Sequence, residues 1–422
     1  MQRGIMKKTL AMFLLLTTSV IAQSAPTQSP AEIAIANAQK TIEKKPTQFS
    51  GYNQLAIALA RRARETSDVN FYTQAEEALK KSQQLSPGNY EGEKLHVWLL
   101  LGRHEFAAAL DAAKELNKKM PDDVLVYGFM VDANVELGNY DDAERSAQWM
   151  LNLRPGNMPA LTRTAYLREL FGDIDGSYEL MQMAFQGTPP TENEDRAWIM
   201  NQMAHLDLAV GKTAEAENIL QQALNIFPGY HYALGNLAKV RIEQKRYAEA
   251  VDLFQQRYKA APHAENLYDF AVSLKLTGRA EEANAAFAEF EKKSLLETMR
   301  RDNSNHELVA YYADEANQPA KALEVAQREY AYRHDVFTLD AYAWALHKNN
   351  QDVEAREQIE VALAVGIRDA KLFRHAGEIA LAQGDRKTAV NYLQTSATLN
   401  APGSEEARER LAGMQKTEAR AR

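Results

Sequence analysis

Residues 124–155, VLVYGFMVDANVELGNYDDAERSAQWMLNLRP, determine the fold class of this chain. Apolar residues recur at helical spacing on both sides of Gly138, which predicts two amphipathic helices. Gly138 ends the first helix, because glycine readily adopts the left-handed conformation. Asp141 and Asp142 place negative charge near the start of the second helix, where the helix dipole favours it. The stretch is therefore predicted to be a helical hairpin.

The turn of this hairpin recurs along the chain at spacings of 33 to 39 residues, with a small residue five positions beyond each turn. The predicted turns are Gly102, Gly138, Gly172, Gly211, Lys245, Gly278, Asn317, Asn350 and Gly384, and the small residues are Ala107, Ala143, Ser177, Ala216, Ala250, Ala283, Ala322, Ala355 and Ala389. A single hairpin cannot bury both of its apolar faces, so the repeats are expected to stack on one another.

This pattern resembles the tetratricopeptide repeat family from about residue 52 to residue 400, because prolines also follow four of the turns in register, at Pro155, Pro189, Pro228 and Pro262. The resemblance implies an all-α fold, an α-solenoid forming a right-handed superhelix of about nine to ten helical hairpins with a C-terminal capping helix. The chain departs from the family pattern where Lys245, Asn317 and Asn350 replace the turn glycine. Its two 39-residue spacings predict longer loops between repeats.

Residues 1–24 are predicted to be a signal peptide, since basic residues precede the apolar run LAMFLLLTTSVIA and small residues offer a cleavage site after it. An uncleaved anchor is a weaker alternative, because a membrane span needs about 20 apolar residues. Residues 25–30 are predicted to be a linker, 31–402 the repeat array and 403–422 a capping helix with a polar tail. The segments 187–193 and 293–303 are expected to be loops.

Composition restricts the function further. The chain has no cysteine, which excludes disulfides, zinc–cysteine sites and cysteine nucleophiles. Its formal net charge is −8, and loss of three basic residues with the signal peptide would make it about −11. Nucleic acid is therefore not expected as a partner, because binding to phosphates requires positive charge. The chain is expected to be exported, to the periplasm or beyond, with the export signal as its single membrane association.

By resemblance to the family, the first helix of each hairpin lines an inner, concave wall on which protein partners lie. The side chains expected on this wall are Arg163, Tyr166, Asn201, Gln202, His205, Asn236, Lys239, Tyr268, Asp269, Tyr311, Trp344, His347, Arg374 and His375. Their mixture of rings and polar groups predicts a groove for an extended peptide or a glycan strand. In the alternative interpretation, the aromatic residues Tyr166, Tyr311 and Trp344 fill space between neighbouring helices.

Motifs that would indicate catalysis or metal binding are incomplete. The sequence Gly211-Lys212-Thr213 lacks the glycine that a phosphate-binding loop needs five residues earlier, where Leu206 stands. The pair His306-Glu307 lacks the second histidine of a zinc protease helix. Some members of the family hold the C-terminal carboxylate of a partner with lysine and asparagine. Gly128 and Asp132 stand at those positions here, so this carboxylate clamp is not expected. No catalytic residue, cofactor or metal site is therefore predicted.

Two functional hypotheses follow. The favoured one is an exported, non-enzymatic scaffold that mediates protein–protein interaction through its concave groove, in envelope assembly. The competing one is an accessory factor of a polysaccharide or cell-wall enzyme, with a glycan strand in the groove. The segments 60–68 and 166–181 resemble secreted bacterial repeat proteins, which favours export and adds no chemistry.

Overall fold

The computed structural model describes residues 28–297, 303 and 305–421, and within these ranges the regular structure is entirely helical. The predicted signal peptide lies outside the described residues. Among the helices that are described, none combines the length and the apolar character that crossing a membrane requires. The all-α fold class predicted from the sequence is confirmed.

The described residues form twenty-two α-helices and one π-helical turn. The helices are α1 (Pro30–Lys44), α2 (Phe49–Thr66), α3 (Asn70–Leu85), α4 (Tyr90–Gly102), α5 (Phe106–Lys119), α6 (Val124–Glu136), α7 (Tyr140–Leu153), α8 (Met158–Leu170), α9 (Ile174–Gly187), α10 (Asn193–Ala209), α11 (Thr213–Ile226), α12 (His231–Glu243), α13 (Tyr247–Ala260), α14 (Ala264–Leu276), α15 (Ala280–Glu297), α16 (Asn305–Ala310), α17 (Pro319–Tyr330), α18 (Val336–Lys348), α19 (Asp352–Ala364), α20 (Ala370–Ala382), α21 (Arg386–Leu399) and α22 (Ser404–Ala421), with the π-helical turn (Tyr311–Glu315) after α16.

These helices pair into ten antiparallel hairpins, numbered in chain order. Hairpin 1 is α2 with α3, the pairs continue in sequence, and hairpin 10 is α20 with α21; α16 and the π-helical turn together form the first helix of hairpin 8. The leading helix α1 packs on α2. At the other end α22 packs on α21 and buries Ala407 and Met414, so it covers the last apolar face as a capping helix must.

A left-handed residue follows each first helix by one or two positions, whether or not it is glycine. Lys245, Asn317 and Asn350 have φ angles of 59°, 50° and 60°, close to the 75° of Gly138. The absent glycines therefore do not change the turn. They leave a side chain in a conformation that costs L-residues roughly 1 to 2 kcal/mol.

One predicted turn was wrong by two residues. Gly102 is the last residue of α4, and the left-handed residue of hairpin 2 is His104, with a φ of 58°. The small residue that packs is accordingly Ala109, which is fully buried, whereas the predicted Ala107 is exposed. With His104 as the turn, the spacing to Gly138 becomes 34 residues, the same as from Gly138 to Gly172.

Each 39-residue spacing contains a lengthened helix, which the prediction of longer loops did not include. Helix α10 has 17 residues where α8 has 13, and α15 has 18 where α13 has 14. The predicted loop 293–303 consequently starts too early, since residues 293–297 belong to α15. No proline or glycine occurs between residues 280 and 297, so nothing in the sequence ends the helix there.

Successive turns of the superhelix contact each other, along what we call the inter-turn interface. The backbone N–H of His334, after hairpin 8, donates to the carbonyl of Glu136 in hairpin 3 at 2.9 Å. The N–H of Val336 donates to the hydroxyl of Tyr140 at 3.0 Å. Further along, Gly172 and Gly211 lie against the carbonyls of Gly366 and Asn400. The solenoid is therefore coiled tightly enough that hairpins about five repeats apart touch.

Candidate functional site

A cavity of about 580 Å³ lies on the inner side of hairpins 2 to 5. Most of its walls come from the first helices of these hairpins, α4, α6, α8 and α10. His104 and Phe106, at the turn and start of α5, and Arg64 of hairpin 1 complete the lining. The lining is predominantly apolar and consists of Arg64, Trp98, Leu101, Gly102, His104, Phe106, Leu125, Phe129, Val131, Asp132, Val135, Glu136, Met158, Pro159, Thr162, Arg163, Tyr166, Asp195 and Trp198. This size and composition are typical of ligand-binding sites.

The repeat positions its wall residues by a simple rule. The residue six positions before the left-handed turn faces the cavity in hairpins 2, 3 and 4, where it is Trp98, Asp132 and Tyr166. The residue three positions earlier adds Phe129 in hairpin 3 and Arg163 in hairpin 4. Because helical residues three and four apart share a face, each first helix contributes a short stripe to the wall.

An internal ion pair occupies the middle of the cavity wall. The Arg163 guanidinium bonds both carboxylate oxygens of Asp132, at 2.8 and 2.6 Å, and its Nε also donates to the carbonyl of Gly128 at 3.1 Å. A Cβ at Gly128 would lie 3.1 Å from that guanidinium, so glycine leaves room for it. The pair is thus held between hairpins 3 and 4, with its charges compensated.

A second group of charges closes one side of the cavity. Arg64, from hairpin 1, pairs with Asp195 at 2.8 Å and with Glu194, both at the start of α10 in hairpin 5. The Tyr230 hydroxyl also donates to Glu194, at 2.9 Å. Burial raises the pKa of Glu194, and the charge of Arg64 acts in the opposite direction. These ion pairs join hairpin 1 directly to hairpin 5. Hairpins 1 to 5 therefore form a closed ring around the inner face of hairpins 2 to 4.

A third group borders the cavity at the C-terminal end of α6. Glu136 lies 2.7 Å from the guanidinium of Arg333, which belongs to the next superhelical turn. Burial raises the pKa of Glu136 to about 7, although the positive charge of Arg333 opposes this shift. Burial, together with the negative charges of Glu136 and Asp335, also raises the pKa of the neighbouring Tyr166 well above 10. This corner of the cavity is therefore part of the inter-turn interface.

Of the wall residues predicted from the sequence, Arg163 and Tyr166 line the cavity, and the others lie further along the solenoid. In hairpins 5 and 6, Asn236 donates to Asn201 at 2.9 Å, and His205 lies 2.8 Å from a Glu169 oxygen. Burial opposes protonation of His205, but the Glu169 carboxylate outweighs it and raises the histidine pKa above 6.5. The remaining members of this part are Gln202 and the exposed Lys239.

The predicted aromatic residues of hairpins 7 and 8 pack between helices. Tyr268 lies 5.2 Å from Phe290, and Tyr311 stacks on Phe287 at 5.3 Å, measured between ring centroids. Asp269 is paired with Arg257. Tyr268 and Tyr311 thus fill space between neighbouring helices, as in the alternative interpretation of the aromatic residues. With Asp269 they form a local cluster on hairpins 7 and 8.

In hairpins 9 and 10 the predicted residues form a single stack. Trp344 is 6% exposed, donates its indole N–H to Asp314 at 3.0 Å and stacks on His375 with the rings 4.0 Å apart. His375 is hydrogen-bonded to Asp340 at 2.7 Å, and burial lowers its pKa to about 4. Two further predicted residues complete the stack: Arg374 lies over the Trp344 ring, and His347 bonds Asp352.

Sequence reasoning missed Trp98, Phe129 and Trp198, the large side chains of the cavity. Arg163 and Tyr166 lie nine and six positions before the left-handed turn of hairpin 4. The first of these positions in hairpin 3 is Phe129, so the same spacing predicts it. Trp98 was missed because the turn of hairpin 2 was predicted at Gly102 and not at His104. Six positions before Gly102 stands His96, whereas six positions before His104 stands Trp98. Arg64 had no such signal, because it reaches the cavity only through a contact 131 residues away in sequence.

Comparison with known proteins identifies the repeat. The sequence profile of the tetratricopeptide repeat family matches residues 195–263. A TPR repeat-containing protein of Methanocaldococcus jannaschii is 28% identical over 156 residues, which are 36% of this chain and 26% of that protein. The chain therefore spans about a quarter of the length of this curated relative.

Three solved structures are similar to this chain at low sequence identity. Yeast Tom70 is 15% identical with a TM-score of 0.42, over 93% of each chain. Human IFIT1, as a dimer with m7Gppp-AAAA, is 12% identical with a TM-score of 0.49, over 87% of this chain and 85% of its own. PilW, a widely conserved type IV pilus biogenesis factor, is 16% identical with a TM-score of 0.39, over 48% of this chain and 92% of its own.

The family profile covers almost all of hairpins 5 and 6, and similar hairpins lie on both sides of them. In hairpins 2 to 10 a left-handed residue follows the first helix, and a small residue five positions later is buried. The chain thus carries tetratricopeptide repeats, which the family profile matches directly at residues 195–263.

Proposed function

We propose that this chain is an exported scaffold that binds a protein partner by taking apolar side chains of that partner into the cavity of hairpins 2 to 5. Tetratricopeptide repeat proteins generally act as non-catalytic scaffolds for protein partners. The observation that carries the proposal is the cavity itself, about 580 Å³ in volume and lined mainly by apolar and aromatic side chains. Burying one large apolar side chain there would contribute roughly 1.5 to 3 kcal/mol.

The ring closed by Arg64 favours a terminus or a short loop of the partner over a long extended strand. An extended peptide needs an open groove that continues from repeat to repeat, and Arg64 with Asp195 spans that path. A terminal segment or a loop can enter from one side and place two or three side chains against Trp98, Phe129 and Trp198. The sequence predicts a groove along the whole inner wall, and we restrict that hypothesis to the single cavity of hairpins 2 to 5.

The charges around the cavity favour an uncharged anchor. Arg163 is paired with Asp132, and Arg64 with Asp195 and Glu194, so these charges are already compensated within the protein. A charged partner group would have to displace an existing pair. Apolar side chains require no such displacement, because they contact only the rings and aliphatic groups of the lining.

Export is proposed on the pattern of residues 1–24, where basic residues precede an apolar run and a small-residue cleavage site. Expression of the full chain in a bacterium with a periplasm should give a mature protein that begins at Ala25 and fractionates with the periplasm. The mass of the intact protein measures this. A product that keeps residues 1–24 in the cytoplasm would contradict export and leave the cavity proposal standing.

Binding is tested with arrays of loop and terminal peptides and, in parallel, of bacterial glycans. Leu125 lines the cavity and is 40% exposed, so Leu125→Glu places a charge at the site without disturbing the core. Met183 on α9, 50% exposed and outside the cavity, gives the matched control Met183→Glu. We expect peptide affinity to fall at least about tenfold in the first variant only, equivalent to about 1.4 kcal/mol.

Two outcomes would reject the proposal. Equal affinities of the two variants would place the binding surface elsewhere on the protein. Binding of glycans alone, lost in Leu125→Glu, would instead favour the accessory factor of a polysaccharide enzyme, since Trp98, Trp198 and Tyr166 also offer rings on which a sugar can stack.

A further inference from the structure

Two carboxylates of the cavity wall, Asp132 and Glu136, lie one helical turn apart on α6 and have different partners. Both oxygens of Asp132 accept hydrogen bonds from the Arg163 guanidinium. Glu136 lies 2.7 Å from the guanidinium of Arg333, but the two groups are not aligned as a hydrogen bond. Within the described ranges, the buried oxygen Oε2 of Glu136 has no hydrogen-bond partner. The hydrogen-bonding capacity of Glu136 is therefore not used up within the protein.

Glu136 shares its positive partner with two other carboxylates. Arg333 also lies 2.8 Å from Asp335 and 4.0 Å from Glu329, and both of these carboxylates are 4% exposed. Each of the two also accepts hydrogen bonds from neighbouring side chains. One guanidinium thus faces three carboxylates, and Glu136 is the least bonded of them. A proton on Glu136 would therefore relieve the repulsion at the lowest cost.

The titratable and charged groups around Glu136 come from each neighbouring element. They are Asp132 on α6 itself, His104 before α5, Tyr140 on α7, Arg163 and Tyr166 on α8, His306 on α16, Glu329 on α17, and Arg333, His334 and Asp335 in the loop that follows. Burial raises the pKa of Glu136 to about 7, although Arg333 opposes the rise; Asp335 adds to it. Glu136 therefore gains or loses its proton near neutral pH.

A neutral Glu136 is a hydrogen-bond donor at the cavity wall. The guanidinium of Arg333 carries only donors, so it cannot accept the O–H of a carboxyl group. Arg333 keeps Asp335 at 2.8 Å and the centroid of the Phe106 ring at 5.7 Å, so it stays in place when Glu136 is neutral. The Glu136 side chain is 22% exposed. An apolar group that covers it removes its remaining contact with water and favours the neutral form.

We propose that Glu136 binds the ligand as a neutral carboxyl group: it takes up a proton when the cavity is filled and donates a hydrogen bond to an uncharged acceptor, such as a peptide carbonyl, that the ligand carries among its apolar groups. The inference rests on the proposed function, because it concerns the same cavity. The complex holds the proton more tightly than the free protein does. Affinity is therefore highest at low pH and declines as the free Glu136 loses its proton.

The test uses two uncharged fluorescent dyes. Prodan is a naphthalene that carries a ketone, and N-phenyl-1-naphthylamine has no carbonyl group. Fluorescence titrations between pH 5 and pH 8 give the affinities of the wild type, of Glu136→Gln and of the control Glu144→Gln, which changes an exposed carboxylate of α7. We expect prodan affinity to fall about fivefold from pH 5 to pH 8 in the wild type and the control. In Glu136→Gln, whose amide donates at every pH, it should stay near the wild-type value at pH 5.

The emission of bound prodan reports the hydrogen bond itself, because a donor to its ketone shifts the emission to longer wavelength. The shift should be present in the wild type at pH 5 and in Glu136→Gln, and absent in Glu136→Leu. A wild-type affinity that does not change with pH, the same decline in Glu136→Gln, or the same emission in Glu136→Leu would overturn the proposal. If N-phenyl-1-naphthylamine binds and prodan does not, the cavity stands and the role of Glu136 fails. If neither dye binds at any pH, both proposals fail.

Discussion

The turns at Gly172 and Gly384 have the same local structure and different surroundings. Their φ angles are 80° and 76°, and each ends the first helix of a hairpin. A Cβ at Gly172 would lie 2.6 Å from the carbonyl oxygen of Gly366, whereas a Cβ at Gly384 would meet nothing within 4 Å. The repeat thus requires a left-handed residue at both turns, and the contact between superhelical turns requires glycine at only one.

The same contrast divides the molecule. The turns of hairpins 3, 4 and 5, at Gly138, Gly172 and Gly211, are covered by loops of the following superhelical turn, while those at Gly278 and Gly384 are open. Stability in a solenoid is usually close to a sum of repeat and nearest-neighbour terms. Here the contacts between hairpins about five repeats apart add a term that links the N-terminal and C-terminal halves.

The largest effect is expected from Arg64→Met. It leaves the carboxylate of Glu194, which is 2% exposed, without its partner charge. An uncompensated buried charge typically costs about 3 to 5 kcal/mol, and because Arg64 itself is 37% exposed we expect the lower end of this range. The free energy of unfolding in urea measures this loss. The control Arg168→Met breaks a pair whose side chains are 46% and 52% exposed, and it should cost less than about 1 kcal/mol. Equal losses would mean that the ring closed by Arg64 does not form.

Next is the pair Gly172→Ala and Gly384→Ala. Both variants put an alanine into the left-handed conformation, so they share a backbone cost of about 1 to 2 kcal/mol. Only Gly172→Ala also overpacks the inter-turn interface, which should add roughly 1 to 3 kcal/mol. Thermal unfolding of the two proteins gives the difference. Equal stabilities of the two variants would show that the inter-turn interface accommodates the added methyl group at no cost in free energy.

The pH dependence of Glu136 gives a smaller effect. Burial raises its pKa from 4.5 to about 7, so the folded protein holds the proton more tightly than the unfolded chain. The contribution of Glu136 to stability is therefore complete below pH 4.5 and is lost as the pH rises through 7. The carboxylate is 22% exposed and faces Arg333, so we expect a loss on the order of 1 kcal/mol.

This decline should be absent in Glu136→Gln and kept in Glu144→Gln, which changes an exposed carboxylate of α7. Urea unfolding between pH 5 and pH 8 distinguishes the two. If stability falls equally in both variants as the pH rises, titratable groups other than Glu136 cause the decline.

The smallest effect, and the only gain, is expected from Lys245→Gly. Lys245 has a φ of 59°, and replacing it removes the strain of a side chain in that conformation, at some cost in chain entropy. We expect a net stabilisation of about 0.5 kcal/mol. The same substitution at Lys114, an exposed position inside α5, should destabilise by about 1 kcal/mol. Loss of stability at both positions would contradict the role of the left-handed turn.

Sequence reasoning succeeded where the repeat acts locally. The left-handed turn at Gly138 and the buried Ala143 follow from spacing and residue type, because both are determined within one hairpin. The turn of hairpin 2 was misplaced because a glycine two residues earlier, inside α4, matched the expected residue better than His104. Residue type is thus a weaker guide than spacing, which would have selected His104.

The cavity could be predicted only in part. Arg163 and Tyr166 face it because the first helices of hairpins 2 to 4 turn the same positions inward. Arg64 and Glu194 meet across 130 residues of sequence, and no repeat rule relates them. Their contact depends on how tightly the solenoid coils, which is the sum of small rotations at each hairpin and is not visible in any one of them.

The most direct test of the coiling is a distance across the inter-turn interface. Spin labels at Asp141→Cys and Ala331→Cys would lie on exposed positions on either side of the contact between Gly138 and His334. If hairpins about five repeats apart touch, pulsed electron resonance on the full chain gives one short, narrow distance. A long or broad distribution would mean that the superhelix is open, and the enclosed cavity would then not exist in solution.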